Sequence, residues 1–345
     1  MTQENSRSLV EIQDPASPPS GSVVVIVKNG KNSIRRCLNS LMAQTATCEI
    51  VVVDGNSTDG TREIVGEYPV KLIIAPQRDS YGVSRNIGVK NSEGEVVLFM
   101  DADDYAEPIW AKTLLSHFEK SDRPGIVTVP RRVDAFRGWF MKMLSYEYST
   151  SPAQKSEQAQ SWGSVTTKGT AWLKRAIVDA GWFDEAMYFG TEDKDLSCRI
   201  SRLGYSVELE PSAPIWVSPV GGARNFLKDK FWRAGVGHGY LRRKLGVYRP
   251  PLSGILSMIL LLAGLTLLIP LRETILAVCA FLLAIFTLAS VLREGISLHS
   301  EGAPFVSTIA FVAVKWLSRV LEFLGFSVGY FWYPYLKGRR GRGPR

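Results

Sequence analysis

Between residues 23 and 100 the chain switches repeatedly between two hydrophobic periods, and this alternation sets its fold class. Val23-Val24-Val25-Ile26-Val27 is an unbroken β-branched run, the pattern of a strand buried on both faces. Ser33 to Ala43 follows, with Ile34, Leu38, Leu41 and Met42 on one helical face. Ile50 to Val53 is a second buried strand, and Asp59-Gly60-Thr61 opens a short helix through Glu67. Leu72 to Ile74 is a third strand, Ser80 to Val89 a helix, and Val96 to Met100 a fourth strand. The order β-α-β-α-β-α-β predicts an α/β fold with a parallel sheet and right-handed crossovers.

Such sheets bind ligands beyond the carboxyl ends of their strands. Polar residues collect there: Lys28-Asn29, then Asp54-Gly55-Asn56-Ser57-Thr58-Asp59, then Asp101-Ala102-Asp103-Asp104. Neither GxGxxG nor GxxxxGK[ST] occurs, which argues against oxidoreductase-type dinucleotide binding and P-loop hydrolysis. Asp101 and Asp103, one residue apart at a strand end, suit a hard divalent cation, Mg²⁺ or Mn²⁺, shared with substrate phosphates; an acidic turn is the plainer reading. Asp54 follows a buried strand directly, where a carboxylate can accept hydrogen bonds from a base or ribose. Asp59 fits a helix cap better. Arg78 and Arg85 flank the helix leading to the acidic cluster, and either can pair with phosphate or simply face solvent.

From about 123 to 220 the pattern is α+β and rich in tryptophan. Asp195 to Leu203 reads as a helix closed by Gly204, with Glu192-Asp193 in the loop before it. One carboxylate of that pair can serve the helix dipole and the other a general base. Arg224, Lys228, Lys230 and Arg233 form a basic run that can meet lipid phosphates, an anionic acceptor or a donor diphosphate. The chain has three histidines, and its four scattered cysteines lack CxxC spacing, so a histidine-based metal site and a zinc site are not expected.

Residues 250 to 335 differ in kind. They hold eight charged residues in 86, against 21% charged over the whole chain. Ser253 to Ile269 and Thr274 to Leu292 carry no charge, and each is close to the roughly 20 residues that span a bilayer. A third apolar segment, 305 to 335, contains Lys315, Arg319 and Glu322 on one helical face, which suits an interfacial or re-entrant element better than a span. The net charge is +8. Five basic residues fall in Lys337 to Arg345, and Arg242, Arg243, Lys244 and Arg249 precede the first span; the remainder of the chain is at −1. Charge gathered at the flanks of an apolar region argues for a membrane edge and against nucleic acid as a partner. The expected layout is a flexible tail (1–20), an α/β half (21–122), a second half (123–240), a membrane region (250–335) and a basic tail (336–345). The positive flanks predict a multi-pass cell-membrane protein whose α/β domain and basic tail face the cytoplasm.

The segments SVVVIVKNG, EIVVVDGNSTDGT and SRNIGVKNSEGEVVLFMDADD, with the later GTAWLKRAIVDAGWFDEAMYFGTEDKDLSCRISRLGY, together resemble glycosyltransferase family 2 over residues 21 to 240. The resemblance implies a GT-A fold, a Rossmann-like nucleotide-binding half joined to an acceptor-binding half, here followed by C-terminal transmembrane helices. It implies an inverting transferase with Mg²⁺ or Mn²⁺, a UDP- or GDP-sugar donor and, given the apolar region, a lipid or lipid-linked acceptor such as a polyprenyl phosphate. By the same resemblance Asp54 contacts the nucleoside, Arg85 the nucleotide region, and Asp101 and Asp103 hold the metal. Asp193 is the base, with Glu192 in reserve, and Arg233 in FWRAGVG is a basic position serving the donor. Gly55 stands where many members carry a second aspartate. No QxxRW is present, which argues against a processive polysaccharide synthase. The competing reading is a non-catalytic membrane protein that binds nucleotide sugars through a degenerate domain.

Overall fold

The computed structural model describes residues 21–76, 80–119, 124–133, 165–187, 190–217, 223–246 and 305–331. The N-terminal tail, Arg78, Arg249, the uncharged runs at 253–269 and 274–292 and the basic C-terminal tail lie outside them. The elements β1 (Ser22–Val27), α1 (Ile34–Met42), β2 (Glu49–Asp54), α2 (Thr61–Val65), β3 (Lys71–Ile74), α3 (Tyr81–Lys90) and β4 (Val96–Asp101) follow the order expected. The strands lie side by side as β3-β2-β1-β4, all parallel. Val23, Val24 and Val25, of alternating orientation along β1, are all buried, as are Val51 to Val53 and Val97 to Phe99. Helices on both faces explain why these runs lack polar alternation.

Next come β5 (Tyr105–Ala106), α4 (Trp110–Ser116), β6 (Ile126–Thr128), β7 (Arg131–Val133), β8 (Thr170–Leu173) and α5 (Lys174–Asp179). They are followed by α6 (Glu192–Arg202), β9 (Val207–Leu209) and β10 (Ile215–Val217). The second half does not build a sheet of its own beside the first. Instead β8 pairs antiparallel with β4, and the sheet continues through β6 and β9. A free edge on β4 would leave a row of backbone groups unpaired. The fully buried Thr170-Ala171-Trp172-Leu173 covers it. Phe99, Trp172 and Phe183 pack together, with the Phe99 ring edge-on to Trp172 at 5.9 Å and to Phe183 at 5.6 Å. Strands β5, β10 and β7 form a small second sheet.

Helix α6 begins at Glu192, three residues before the expected start at Asp195. Thr191 takes a left-handed conformation (φ 73°) that turns the chain into the helix, and Glu192, Asp193 and Asp195 fall in the first turn. Negative charge there complements the helix dipole. The Glu192-Asp193 pair therefore sits on a helix, not in a loop.

The C-terminal part has α7 (Ala223–Asp229), a π-helix (Lys230–Gly237), α8 (His238–Leu245) and the long α9 (Phe305–Phe331). Among the described residues no helix is long and apolar enough to cross a membrane. Helix α9 packs against the π-helix and α8 through glycines at four-residue spacing on both sides, Gly235 and Gly239 against Gly325 and Gly329. A Cβ added at Gly235 would lie 2.7 Å from Gly325 Cα, and one at Gly325 would collide with the Phe231 carbonyl. Small residues at this spacing let helix backbones touch. Gly325→Val is thus expected to undock α9, with faster protease cleavage near residue 305 and a lower melting temperature; an unchanged cleavage pattern would refute the contact. Lys244, counted among the basic flank of the apolar region, is used inside the protein. It pairs with Asp184 at 2.6 Å and Asp195 at 2.8 Å and so ties α8 to α6.

Candidate active site

The polar strand ends gather on one edge of the sheet. Val27 pairs with Asp54, and Ile26 with Asp101, so the two aspartates flank the end of β1 from either side. Two strand spacings put them about 10 Å apart. Asp54 is fully buried. Its Oδ2 accepts from the Ser57 N–H at 2.9 Å and faces Arg62 Nε at 3.2 Å, while Oδ1 has no hydrogen-bond partner among the described residues. A buried oxygen without a donor is costly, and a ligand hydroxyl or N–H satisfies it. Asp59 serves the loop: its carboxylate accepts from the Lys31 and Thr61 N–H groups at 3.0 and 3.1 Å, the latter at the start of α2.

At the end of β4, oxygens of Asp101, Asp103 and Asp104 lie within 4.8 Å of one another. Lys168 reaches into this group. Its Nζ is 2.8 Å from Asp101, 2.9 Å from Asp104 and 3.7 Å from Asp103. Against the cost of burial, Lys168 and then Arg85 hold the Asp101 carboxyl down to about 2. Burial dominates at Asp104 and pushes its carboxyl up to about 7 against the pull of Lys168. Asp104 Oδ1 is buried without a hydrogen-bond partner among the described residues. An all-oxygen set that already gathers one cation, and keeps a spare buried oxygen, fits a hard divalent ion held by Asp101 and Asp103.

Arg85 joins this donor edge to the second half. Its Nη2 lies 3.6 Å from Asp101, and its Nη1 pairs closely with Glu192 Oε1. Arg85 and Glu192 are 5% and 3% exposed, so this is a buried ion pair. Burial pushes the Glu192 carboxyl up to about 7 although Arg85 opposes it. Asn86, next on α3, reinforces the join. Its side-chain amide donates to the Phe183 carbonyl and accepts from the Phe183 N–H, both at 3.0 Å. Each such bond adds about 1 kcal/mol net.

Asp193 is half-buried, and its Oδ1 accepts from the Lys194 N–H at 2.8 Å. Arg233, on the π-helix, pairs with Asp229 at 3.0 Å and donates to the Tyr81 hydroxyl at 3.2 Å. Gly190 (φ 90°) lies against the Arg233 side chain; a Cβ there would be 2.9 Å from Arg233 Cγ. The fold thus brings Arg85, Asp101, Asp103 and Glu192 together and sets Arg233 beside them through Tyr81. Asp54 stays across the strand end, and no direct contact joins Asp193 to the triad among the described residues. Lys168, Asp104, Asn86 and Tyr81 were not singled out by sequence. Asp104 follows the DxD directly, and strand pairing carries the signal for Lys168: Phe99 pairs with Thr170, and continuing that antiparallel register by two residues brings Lys168 alongside Asp101.

Residues 22–182 match the model of Glycosyl transferase family 2. A probable glycosyltransferase, YdaM of Bacillus subtilis (strain 168), is 28% identical over 214 residues, covering 57% of this chain and 50% of that protein. The poly-β-1,6-N-acetyl-D-glucosamine synthase of Staphylococcus aureus (strain MSSA476) is 25% identical over 225 residues, covering 62% of this chain and 54% of that protein. The chain therefore spans about half the length of the curated relatives it matches. Among solved structures, S. aureus TarS 1–349 in complex with UDP superposes with a TM-score of 0.47 at 18% identity, covering 92% of this chain and 91% of that one.

Proposed function

We propose that this chain, whose residues 22–182 match the glycosyl transferase family 2 model, is an inverting glycosyltransferase of GT-A type. It moves a sugar from a nucleotide-diphosphate sugar to a lipid-linked acceptor. The observation that carries the reading is the single sheet edge that presents a buried aspartate with an unsatisfied oxygen at β2 and an acidic triad at β4. A nucleoside at Asp54 and a diphosphate at Asp101 and Asp103 match that separation. A divalent ion held by Asp101 and Asp103 would supply positive charge for the departing diphosphate.

The acceptor oxygen attacks the anomeric carbon as the bond to the diphosphate breaks, which inverts the configuration. Asp193 takes the proton of a hydroxyl acceptor. Glu192 is less suited to that role, because it is buried and paired with Arg85; it holds Arg85 toward Asp101. Arg233 and Arg85 flank the Tyr81 ring, with their guanidinium carbons 5.4 and 5.7 Å from its centre, and both supply charge near the donor. The lipid-linked acceptor and a cytoplasm-facing position at the membrane rest on the uncharged runs at 253–269 and 274–292 and their basic flanks.

The direct test is nucleotide release by the full chain in membranes, with UDP- and GDP-sugars and extracted lipid acceptors. Metal-dependent release supports the transferase; nucleotide binding without release under any donor supports the non-catalytic reading. Asp193→Asn is expected to cut transfer to a hydroxyl acceptor by about 10²- to 10⁴-fold, the usual worth of a general base. Full activity in that variant would instead mean that the acceptor is already ionised, as a polyprenyl phosphate is.

A further inference from the structure

We propose that Lys168 is the built-in counter-ion of the acidic triad, and that a divalent cation must displace it, so the cation enters together with the donor diphosphate and not before it. This rests on reading the triad as the donor's cation site. The Lys168 ammonium lies 2.8 Å from Asp101 Oδ2 and 2.9 Å from Asp104 Oδ2, with Asp103 Oδ1 at 3.7 Å. Those carboxylates belong to the same group of oxygens, all within 4.8 Å of one another, that would ligate a metal. An ammonium at hydrogen-bond distance from two of them and a divalent ion on the same oxygens would repel each other at close range.

The placement belongs to the fold. The antiparallel register of β8 on β4 delivers Lys168 to Asp101, and its side chain is only 22% exposed. A lysine so enclosed is held by its carboxylates. Charge balance gives the order of entry. Asp101, Asp103, Asp104 and Glu192, set around Lys168 and Arg85, carry a formal charge of −2. A divalent cation alone would cancel that charge and turn the largely buried ammonium away from its carboxylates with no new anion to meet it. A cation arriving with the two negative charges of a nucleotide-sugar diphosphate leaves the charge unchanged, and the released ammonium finds new partners in the phosphate oxygens. No covalent bond changes in this exchange.

The test is a Mn²⁺ titration of the full chain without nucleotide, read by the electron paramagnetic resonance of free Mn²⁺. Lys168→Met is expected to bind Mn²⁺ at least about tenfold more tightly than wild type, since one competing charge is gone. Lys168→Arg, which keeps the charge, should bind as weakly as wild type. Adding UDP or GDP should strengthen Mn²⁺ binding to wild type more than to Lys168→Met. Lys168→Gln provides a second neutral variant should Lys168→Met fold poorly, as judged by circular dichroism. Neutral variants that bind Mn²⁺ no more tightly than wild type would overturn the proposal, as would a gain shared by Lys168→Arg. The titration needs no turnover, so its outcome is separable from the transferase reading, which falls only if wild type releases no nucleotide.

Discussion

Asp103→Ala is expected to lower sugar transfer by about 10²- to 10³-fold, the loss that follows removal of one preorganised charge facing a transition state. Asp103 is the cleanest member of the triad to remove. Its side chain is 32% exposed and its nearest approach to Lys168 is 3.7 Å, so the fold depends on it little. Asp101, by contrast, faces both Lys168 and Arg85, and Asp104 is buried. Changing either would take a close partner from a largely buried cation and confuse chemistry with folding. The measurement is kcat with saturating Mn²⁺, alongside thermal melting. A melting curve like that of wild type with turnover reduced as stated supports the role given to Asp103. Turnover within twofold of wild type would remove Asp103 from the donor site.

Arg85→Met is expected to destabilise the protein by about 3–5 kcal/mol at pH 8, the cost of stranding one member of a buried ion pair. The effect should depend on pH in a stated direction. Glu192 is held above its usual value of 4.5, at about 7, chiefly by burial. A carboxyl raised in the native state takes up a proton on folding, so its ionisation costs stability as pH rises through that window. Without Arg85 the Glu192 carboxyl rises further, and Asp101 loses a cation that helps keep it ionised. The variant therefore loses more, relative to wild type, as pH rises from about 5 to 8. Denaturant unfolding of both proteins at the two pH values checks this. Equal losses at both would mean that Arg85 acts through packing alone.

Much of the first half was legible in the sequence because its signals are local. A β-branched run of five residues at 23–27, and polar clusters directly after each such run, are properties of contiguous chain. Hence the strands β1 to β4, and the positions of Asp54, Asp101 and Asp103 at their carboxyl ends, follow from periodicity and α/β handedness. The start of α6 did not, because Thr191 enters it through a left-handed conformation that a β-branched residue rarely adopts. Nor did the inward use of Lys244. Its neighbours made a basic run suggestive of a membrane edge, whereas its partners Asp184 and Asp195 are 60 and 49 positions away.

The candidate site divides along the same line. Residue type and order were enough to single out the acidic strand ends and the carboxylate pair at 192 and 193 as candidates, since both lie within short motifs. The tertiary structure alone decided that Arg85 is held between Asp101 and Glu192, that Asp54 keeps an unsatisfied oxygen, and that Lys168 occupies the triad. Each of these depends on a strand or helix pairing that brings distant positions together. The buried carboxylates then select among the cations within reach, because an unpaired charge is far costlier inside a protein than in water.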